Sequence, residues 1–491
     1  MNFNIDVKKD NGSLNYFFKK IYIENKFEFI LFLSLLLALF TVRVISGFNG
    51  LYGQDAYEYL RYTNRLTLFF QKGLNPGEFF WPVGYPFIAS LLNLIINNGA
   101  ASLQAVSLIS YLLSVIYLYK ILKLLNINNK AELYVILFFC SSPFIFRAAF
   151  LIMAESLSVM CITALTYYII QYSKNYELKN FTLAVLFITL SAVTRYADFV
   201  ITIIPSVFLL IKFLKHFKFK TLLSGVLIII LILLPHILIY QRHSMNFLRH
   251  EWLKEWSLNN YFLRGFYTNN GYESYSLINI LYPFANLIYP EFIFCGLIFI
   301  VFIGIKDFKS NYLKIFTASL LVYYGFLAGI PYQNYRFLIP SFPFVLIILY
   351  TGYEKITVKY LKGKSIIIIS LIVFIIQAFF IYKYSEGIYT LNKFEKETAG
   401  VIKQYDCTKT LYTFYLNGAL NYYGVKNPLV NLYDKKLIDV HAGSYVLFNE
   451  SKFKEQWNNK LPMINWSYIK SNYKLRLIHR FNEGWALYGV M

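Results

Sequence analysis

The chain has 491 residues, of which 57% are hydrophobic and 20% aromatic, whereas only 15% are charged. Soluble domains carry about 25% charged residues, so this composition excludes an ordinary soluble protein and indicates a polytopic membrane protein. The formal net charge of +21 does not indicate nucleic-acid binding. Most of it lies in short segments between apolar runs, where basic residues set the orientation of a membrane protein.

Eleven apolar runs predict an α-helical polytopic membrane protein with about 11 transmembrane helices. Runs of roughly 17–25 apolar residues are long enough to cross a bilayer. The polar stretch that ends at Phe27 leads into the first run without a small-residue cleavage site, so it is read as a signal anchor. With the N-terminus inside, an odd number of spans places the C-terminus outside. The predicted spans are 28–48, 85–119 with a break near Asn97-Asn98-Gly99, 131–150, 154–172, 180–196, 198–211, 221–240, 286–304, 314–330, 337–353 and 365–384.

Three longer segments are predicted to face outward. The first, 49–84, contains Tyr59, Tyr62 and Leu66 at helical spacing, which predicts a helix on the membrane surface. The second, 241–285, is aromatic and basic. The third is 385–491, which is predicted to form a small extracytoplasmic α/β domain after a transmembrane domain of residues 1–384. Its strand-like pieces are Thr410–Phe414, Ser444–Phe448, Lys474–Phe481 and Trp485–Val490.

Basic residues are sorted by type between the two predicted faces of the membrane. The inward segments that connect the predicted spans hold lysine and no arginine, whereas the outward segments before residue 385 hold arginine with only Lys72 and Lys254. Both residue types satisfy the positive-inside rule, but only arginine grips a phosphate through two parallel hydrogen bonds. The outward face is therefore expected to act on a phosphate. The outward arginines are Arg43, Arg61, Arg65, Arg147, Arg195, Arg242, Arg249, Arg264 and Arg336.

The strongest candidate site is the segment Gly53-Gln54-Asp55-Ala56-Tyr57-Glu58-Tyr59-Leu60-Arg61, which directly follows the first predicted span. A carboxylate beside arginines at a membrane surface suits glycosyl transfer from a lipid phosphate. The carboxylate takes a proton from the acceptor hydroxyl, and the arginines neutralise the departing phosphate. The alternative is that Asp55 only caps the N-terminus of the surface helix.

This segment and Trp81-Pro82-Val83-Gly84-Tyr85-Pro86 resemble the GT-C superfamily of membrane glycosyltransferases. The resemblance is to the branch (glycosyltransferase family 39) of the protein O-mannosyltransferases and the lipid A aminoarabinose transferases. It implies a GT-C-like fold with Asp55 as catalytic base. Trp81 departs from the proline of the family pattern, and Gln54 and Ala56 flank Asp55 where many relatives carry paired acids.

Three further segments fit the same family pattern. Met153-Ala154-Glu155-Ser156 supplies Glu155 as a second acidic candidate for a metal, sugar or acceptor, or as an acid favoured by a helix dipole. Ala192-Val193-Thr194-Arg195-Tyr196 supplies Arg195, which alternatively pairs only with Asp198. Tyr332-Gln333-Asn334-Tyr335-Arg336-Phe337-Leu338-Ile339-Pro340 supplies Arg336, which alternatively anchors the chain at the interface.

The expected function is therefore an inverting glycosyl transfer from a polyprenyl-phosphate sugar to an acceptor hydroxyl. The expected place is the outer face of a bacterial cytoplasmic membrane, and the acceptor is a lipid, glycan or protein. Lipid-phosphate ligands are expected to be Arg61, Arg195 and Arg336, with Arg147 and Arg65 behind them. Residues expected to line the substrate are Tyr57, Glu58, Tyr85 and Tyr335.

Two other functions stay open from the residues alone. One is a polysaccharide polymerase or ligase of the O-antigen type, which would depend on the 241–285 loop, and the other is a flippase or transporter of lipid-linked sugars. No nucleotide-binding motif or metal-ligand spacing is found, so no cofactor is assigned, and a divalent metal stays open.

Overall fold

The computed structural model describes residues 46–127, 129–241, 254–268, 271–293, 311–359, 364–454 and 457–491, with isolated positions before residue 46. The first predicted span and most of 286–304 lie outside the described residues. So does the part of the 241–285 loop that holds Arg242, His243, His250 and Trp252. Contacts group residues 48–491 into one unit and residues 1–47 into another.

Helices make up most of the described chain, in agreement with the predicted helical membrane protein. Five of the described helices are long and apolar enough to cross a membrane, or six if one bent pair counts as a single span. The helices up to the C-terminal region are α1 Gly53–Lys72, α2 Gly84–Ile96, α3 Gly99–Leu124, α4 Asn129–Ser141, α5 Pro143–Phe150, α6 Glu155–Asn175, α7 Leu178–Thr194, α8 Tyr196–Lys215, α9 Phe219–Gln241, α10 Ala285–Ile288, α11 Asn311–Gly329, α12 Phe342–Lys359 and α13 Lys364–Ile402.

Two helix breaks have local causes in the sequence. The predicted break after α2 is confirmed: Asn97 adopts the left-handed conformation that ends α2, and the side chain of Asn98 accepts a hydrogen bond from Ala101 N–H at the start of α3. Between α4 and α5 the axis bends by 54°. Pro143 stands at the first position of α5, where its missing N–H costs no helical hydrogen bond.

The outward segment 49–84 contains the predicted helix, which is α1. Its residues at helical spacing, Tyr59, Tyr62 and Leu66, are all buried. They belong to the hydrophobic core shared by α1, α2, α3, α6 and α7. Because apolar burial fixes this face of α1, the opposite face is free to present polar residues.

The described part of the 241–285 segment has little regular structure. A 3-10 turn at Leu258–Phe262 leads into an antiparallel hairpin of β1 Gly265–Thr268 and β2 Gly271–Ser274. Trp256 Nε1 donates to the carbonyl of Phe326, and Asn260 Nδ2 to that of Gly329, so this segment is held against the end of α11.

The C-terminal region contains a five-stranded mixed sheet, and all four strand-like pieces of the sequence form strands in it. The elements of this region are β3 Leu411–Thr413, α14 Asn417–Tyr422, β4 Leu429–Asn431, β5 Tyr445–Phe448, α15 Glu450–Phe453, α16 Leu461–Asn472, β6 Leu475–Arg480 and β7 Ala486–Val490. The strand order is β4-β3-β5-β7-β6; β4, β3 and β5 run parallel, and β7 is antiparallel to β5 and β6.

A single helix joins the last predicted span to this sheet. Helix α13 continues without interruption past residue 384, and its C-terminal part contributes Phe394, Ala399 and Ile402 to the core of the sheet region. The same helix therefore belongs both to the apolar region and to the C-terminal core. The domain boundary at 384/385 stays a prediction from composition.

Candidate active site

The candidate site is built around Arg336, which lies on a short 3-10 turn, Tyr335–Leu338. The side chain of Asn334 accepts a hydrogen bond from the backbone N–H of Arg336 and so fixes the start of this turn. From there the guanidinium bonds to two carboxylates, with Nη1 3.0 Å from Asp55 Oδ2 and Nε 2.7 Å from Glu155 Oε1.

The two carboxylates differ in exposure. The side chain of Glu155 is 4% exposed, whereas that of Asp55 is 38% exposed, and that of Arg336 between them is 30% exposed. One oxygen of Glu155, Oε2, is buried without a hydrogen-bond partner among the described residues. Glu155 therefore lies at the closed end of the cluster, and Asp55 lies at its open end.

Arg195 adds a second guanidinium to the closed end. Its Nη1 lies 3.8 Å from Glu155 Oε1 and donates to the carbonyl of Arg336 at 3.3 Å. The guanidinium also lies over the ring of Phe337. The four charged side chains thus form one connected cluster of two arginines and two acids.

Helix ends place these side chains. Asp55 is in the first turn of α1, Glu155 is the first residue of α6, and Arg195 is the single extended residue between α7 and α8. The helix dipoles of α1 and α6 favour the two carboxylates at these positions. The end of α7 is set by Gly84, because a Cβ there would lie 2.6 Å from the carbonyl oxygen of Val193.

The alternatives left open by the sequence are partly decided. The N-cap of α1 is Tyr52, without a side-chain cap, and Asp55 instead bonds to Arg336. Arg195 pairs with Glu155, while Asp198 accepts a hydrogen bond from Ser158. Asp55 is therefore not a helix cap, and Arg195 forms its ion pair with Glu155 while also interacting electrostatically with Asp198.

The electrostatics of the cluster favour the charged form of Arg336. Burial alone would lower the pKa of Arg336, but the carboxylates of Glu155 and Asp55 hold it above the ordinary arginine value. Burial raises the pKa of Tyr59 well above its usual range, and the nearby carboxylates of Glu155 and Asp55 raise it further. Tyr59 is therefore a neutral phenol beside the cluster.

Tyr59 is a site neighbour that the sequence reasoning did not single out. Its ring lies against Phe79, Trp81 and Tyr85, with centroids 5.7, 5.4 and 5.2 Å away. The Trp81-to-Pro86 motif therefore supports the α1 face next to Asp55. The signal available in the sequence was the position of Tyr59 one helical turn after Asp55.

The arginines of the first loop have other partners. Arg61 forms a two-pronged ion pair with Glu58, which raises the pKa of Arg61, and it also donates to the carbonyl of Glu78. Arg65 Nη1 donates to the carbonyl of Pro76 at 3.5 Å. Both arginines therefore bond to the backbone of residues 76–78, in the part of the first loop that follows α1.

Arg147 lies near the charged cluster. It is part-buried on α5 with its guanidinium 4.4 Å from the centre of the Phe144 ring, and it interacts electrostatically with Arg336 and Glu155. It adds positive charge near the cluster without an ion pair among the described residues.

The four predicted substrate-lining residues differ from one another in burial and in hydrogen-bond partners. Tyr57 is buried, and its hydroxyl donates to Glu395 Oε2 at 2.5 Å. Glu58 is paired with Arg61, and Tyr85 is fully buried with its hydroxyl bonded to Leu103 and Ser107. Tyr335 is part-buried, adjacent to Arg336, with its ring 5.2 Å from that of Tyr289.

No group of three His, Cys, Asp or Glu side chains with a metal-binding arrangement occurs among the described residues. The two acids of the cluster are instead joined through an arginine. The arrangement can bind an anion with Arg336 and Arg195 and can accept a proton at Asp55.

Comparisons with known proteins agree with this picture. Residues 81–239 match the family model of dolichyl-phosphate-mannose-protein mannosyltransferases. No curated protein matches the chain in sequence.

Solved structures extend the likeness to nearly the whole chain. The crystal structure of ArnT from Cupriavidus metallidurans bound to undecaprenyl phosphate is 11% identical, with a TM-score of 0.61, covering 93% of this chain and 97% of that chain. The apo state of the same protein is also 11% identical, with a TM-score of 0.56, covering 94% and 97%. The shared fold and the family match indicate a membrane-embedded glycosyltransferase of the GT-C type, as the resemblance predicted.

Proposed function

We propose that this GT-C-type membrane glycosyltransferase moves a sugar from a polyprenyl-phosphate-linked donor to the hydroxyl of an acceptor. The observation that carries the proposal is Arg336, whose guanidinium joins an exposed carboxylate, Asp55, to a buried one, Glu155. The undecaprenyl phosphate bound to ArnT, which shares this fold, supports a polyprenyl phosphate as the lipid part of the donor.

Asp55 is the base in this proposal, because it is the exposed acid of the pair. Its Oδ2 is bonded to Arg336, which leaves Oδ1 to take the proton from the attacking hydroxyl. Glu155 is too deeply buried to meet an acceptor, and its contacts with Arg336 and Arg195 give it a positioning role.

Arg336 and Arg195 receive the departing lipid phosphate, with Arg147 adding positive charge nearby. Negative charge develops on the phosphate as the bond to the sugar breaks, and fixed guanidinium groups stabilise it without reorganisation. The acceptor oxygen attacks the anomeric carbon from the side opposite the phosphate, so the configuration inverts. Arg61 and Arg65 bond to the carbonyls of Glu78 and Pro76 in the first loop, and Tyr335 is the proposed substrate contact.

The reaction is placed at the outer face of the bacterial cytoplasmic membrane. The support is the sorting of basic residues, with lysines predicted inside and the arginines of the cluster outside. In this orientation the N-terminus is cytoplasmic and residues 385–491 are extracytoplasmic.

The test is the variant Asp55→Asn, purified in detergent and incubated with polyprenyl-phosphate sugars together with a membrane extract that supplies acceptor hydroxyls. Loss of a general base lowers rates by roughly 10²–10⁴-fold, and released polyprenyl phosphate should fall by that factor. Glu397→Gln, which changes an exposed acid on α13, is the matched control and should keep wild-type turnover. Turnover by Asp55→Asn equal to that of the control would contradict the assignment.

A further inference from the structure

A cavity of about 310 Å³ lies between α3, α6 and α7, away from the candidate active site. Its polar lining contains two lysines and three tyrosines, and its apolar lining is Leu113 and Ile116. This size is at the lower end of the roughly 300–1,000 Å³ typical of ligand pockets. The polar lining residues are Tyr117, Lys120, Tyr167, Tyr168, Lys179 and Asn180.

The cavity and the candidate active site occupy opposite ends of the same helices. Glu155 begins α6, and Tyr168 lies about 20 Å further along it at a rise of about 1.5 Å per residue. Arg195 follows the end of α7, whereas Lys179 is near its beginning. A separation of about 20 Å is comparable with the thickness of a bilayer core, about 30 Å, so the two sites suit opposite leaflets.

The two lysines of this cavity differ from the neighbouring Lys123 in their ion pairing. Lys123 is paired with Glu132 at 2.9 Å, whereas Lys120 and Lys179 have no ion pair among the described residues. One acid is close by: Glu177 Oε2 accepts a hydrogen bond from Asn180. Two ammonium groups against one carboxylate leave one positive charge in excess.

The tyrosines provide a fixed polar wall. The hydroxyls of Tyr117 and Tyr168 are 3.2 Å apart, and Gln171 Nε2 donates to Tyr167 at 3.1 Å. The rings of Tyr117 and Tyr168 also contact Phe187. Phenol hydroxyls and ammonium groups together suit the oxygen atoms of a phosphate, and Leu113 and Ile116 suit the first methylenes of an acyl chain.

We propose that this cavity binds the phosphate headgroup of an anionic membrane lipid in the leaflet opposite the active site. Basic pockets between transmembrane helices on the cytoplasmic side are a recurring lipid-headgroup arrangement. The lysines bind the phosphate, and two of the three tyrosine hydroxyls donate to it, since Tyr117 and Tyr168 use one proton for the hydrogen bond between them. The two apolar residues contact the lipid chains. The proposal does not depend on the proposed catalytic function.

The test measures lipid binding to the full chain in nanodiscs of phosphatidylcholine with a small fraction of phosphatidylglycerol. Native mass spectrometry detects the bound lipid. The double variant Lys120→Gln/Lys179→Gln should bind phosphatidylglycerol roughly 30-fold more weakly, because each lysine contributes about 1 kcal/mol. The control Lys174→Gln/Lys215→Gln removes the same charge at the ends of α6 and α8 and should change binding less than twofold.

A second arm separates a lipid from a soluble anion. Inorganic phosphate at millimolar concentration should leave the bound lipid in place, and full displacement would overturn the lipid assignment. Equal losses in the test and control variants would show only diffuse surface attraction and would also overturn the proposal. Tyr168→Phe, which keeps the ring and its packing, should weaken binding by a few-fold and thus tests the cavity without a change of charge.

Discussion

Arg336 contacts two carboxylates that have different surroundings. Its Nε bonds to the buried Glu155 and its Nη1 to the more exposed Asp55. Two separated donors on a planar group make this possible, whereas the single ammonium of lysine cannot occupy both positions in the same way. The residue-level chemistry of the site therefore depends on the guanidinium as much as on the acid.

Replacing Arg336 by lysine is expected to lower transfer by roughly 10²-fold or more, because one ammonium replaces a group that bonds to both acids and, in the proposed mechanism, stabilises the leaving phosphate. Initial rates of polyprenyl-phosphate release would measure this. A lysine variant with near wild-type rates would show that only the charge matters.

Replacing Arg336 by glutamine is expected to lower the melting temperature as well, because Glu155 then keeps only the longer contact with Arg195. The double variant Glu155→Gln/Arg336→Gln should recover part of this loss, since it leaves no uncompensated buried charge. Thermal unfolding followed by tryptophan fluorescence would measure both. A double variant less stable than Arg336→Gln would contradict this explanation.

Helix ends, rather than helix faces, carry the site. Asp55, Glu155 and Arg195 are each within the first turn of a helix or at its boundary, so the relative positions of α1, α6, α7 and α8 determine whether they meet. Gly84 allows one close inter-helix contact at this site, since its missing side chain lets α2 approach the end of α7.

The variant Gly84→Ala is expected to lower activity at least tenfold. Its Cβ would stand 2.6 Å from the carbonyl oxygen of Val193, so the end of α7 and with it Arg195 must move. Gly387→Ala, whose Cβ would meet nothing within 4 Å, is the matched control and should leave activity unchanged. Equal rates for both variants would exclude the proposed sensitivity to this contact.

Within the 48–491 unit, the C-terminal region packs directly on the helix that carries Asp55. Tyr57 on α1 donates to Glu395 on α13, and its Cβ lies 2.7 Å from where a Cβ on Gly418 would stand. Asn392 Nδ2 donates to the carbonyl of Leu51, which precedes α1. The C-terminal region therefore contributes to the position of the helix that carries Asp55.

The variant Gly418→Ala is expected to push α14 away from Tyr57 and to reduce activity several-fold, while the C-terminal sheet remains folded. Hydrogen exchange should rise in residues 53–60, where α1 begins. Gly400→Ala, on α13 with open space around it, provides the comparison and should leave exchange there unchanged. An activity loss without faster exchange in α1 would contradict this coupling.

The sequence by itself determined the class of protein and the identity of the central residues. Apolar runs predicted most helices, because burial in a membrane requires long apolar segments, and short strand-like pieces predicted four of the five strands of the C-terminal sheet. The short strand β4 gave too little pattern to be recognised. The sorting of arginine from lysine and the family-like motifs singled out Asp55, Glu155, Arg195 and Arg336.

Only the tertiary structure decided which arginines meet the acids. Arg61 is one to two turns from Asp55 on the same helix, yet it bonds to Glu58 and to the carbonyl of Glu78. The arginine that bonds to Asp55 is Arg336, which comes from a distant segment of the chain. Sequence proximity gives neighbours along a helix, but ion pairs form where helix ends converge. That convergence depends on the packing of buried apolar faces, such as the contact at Gly84, which no local pattern in the chain records.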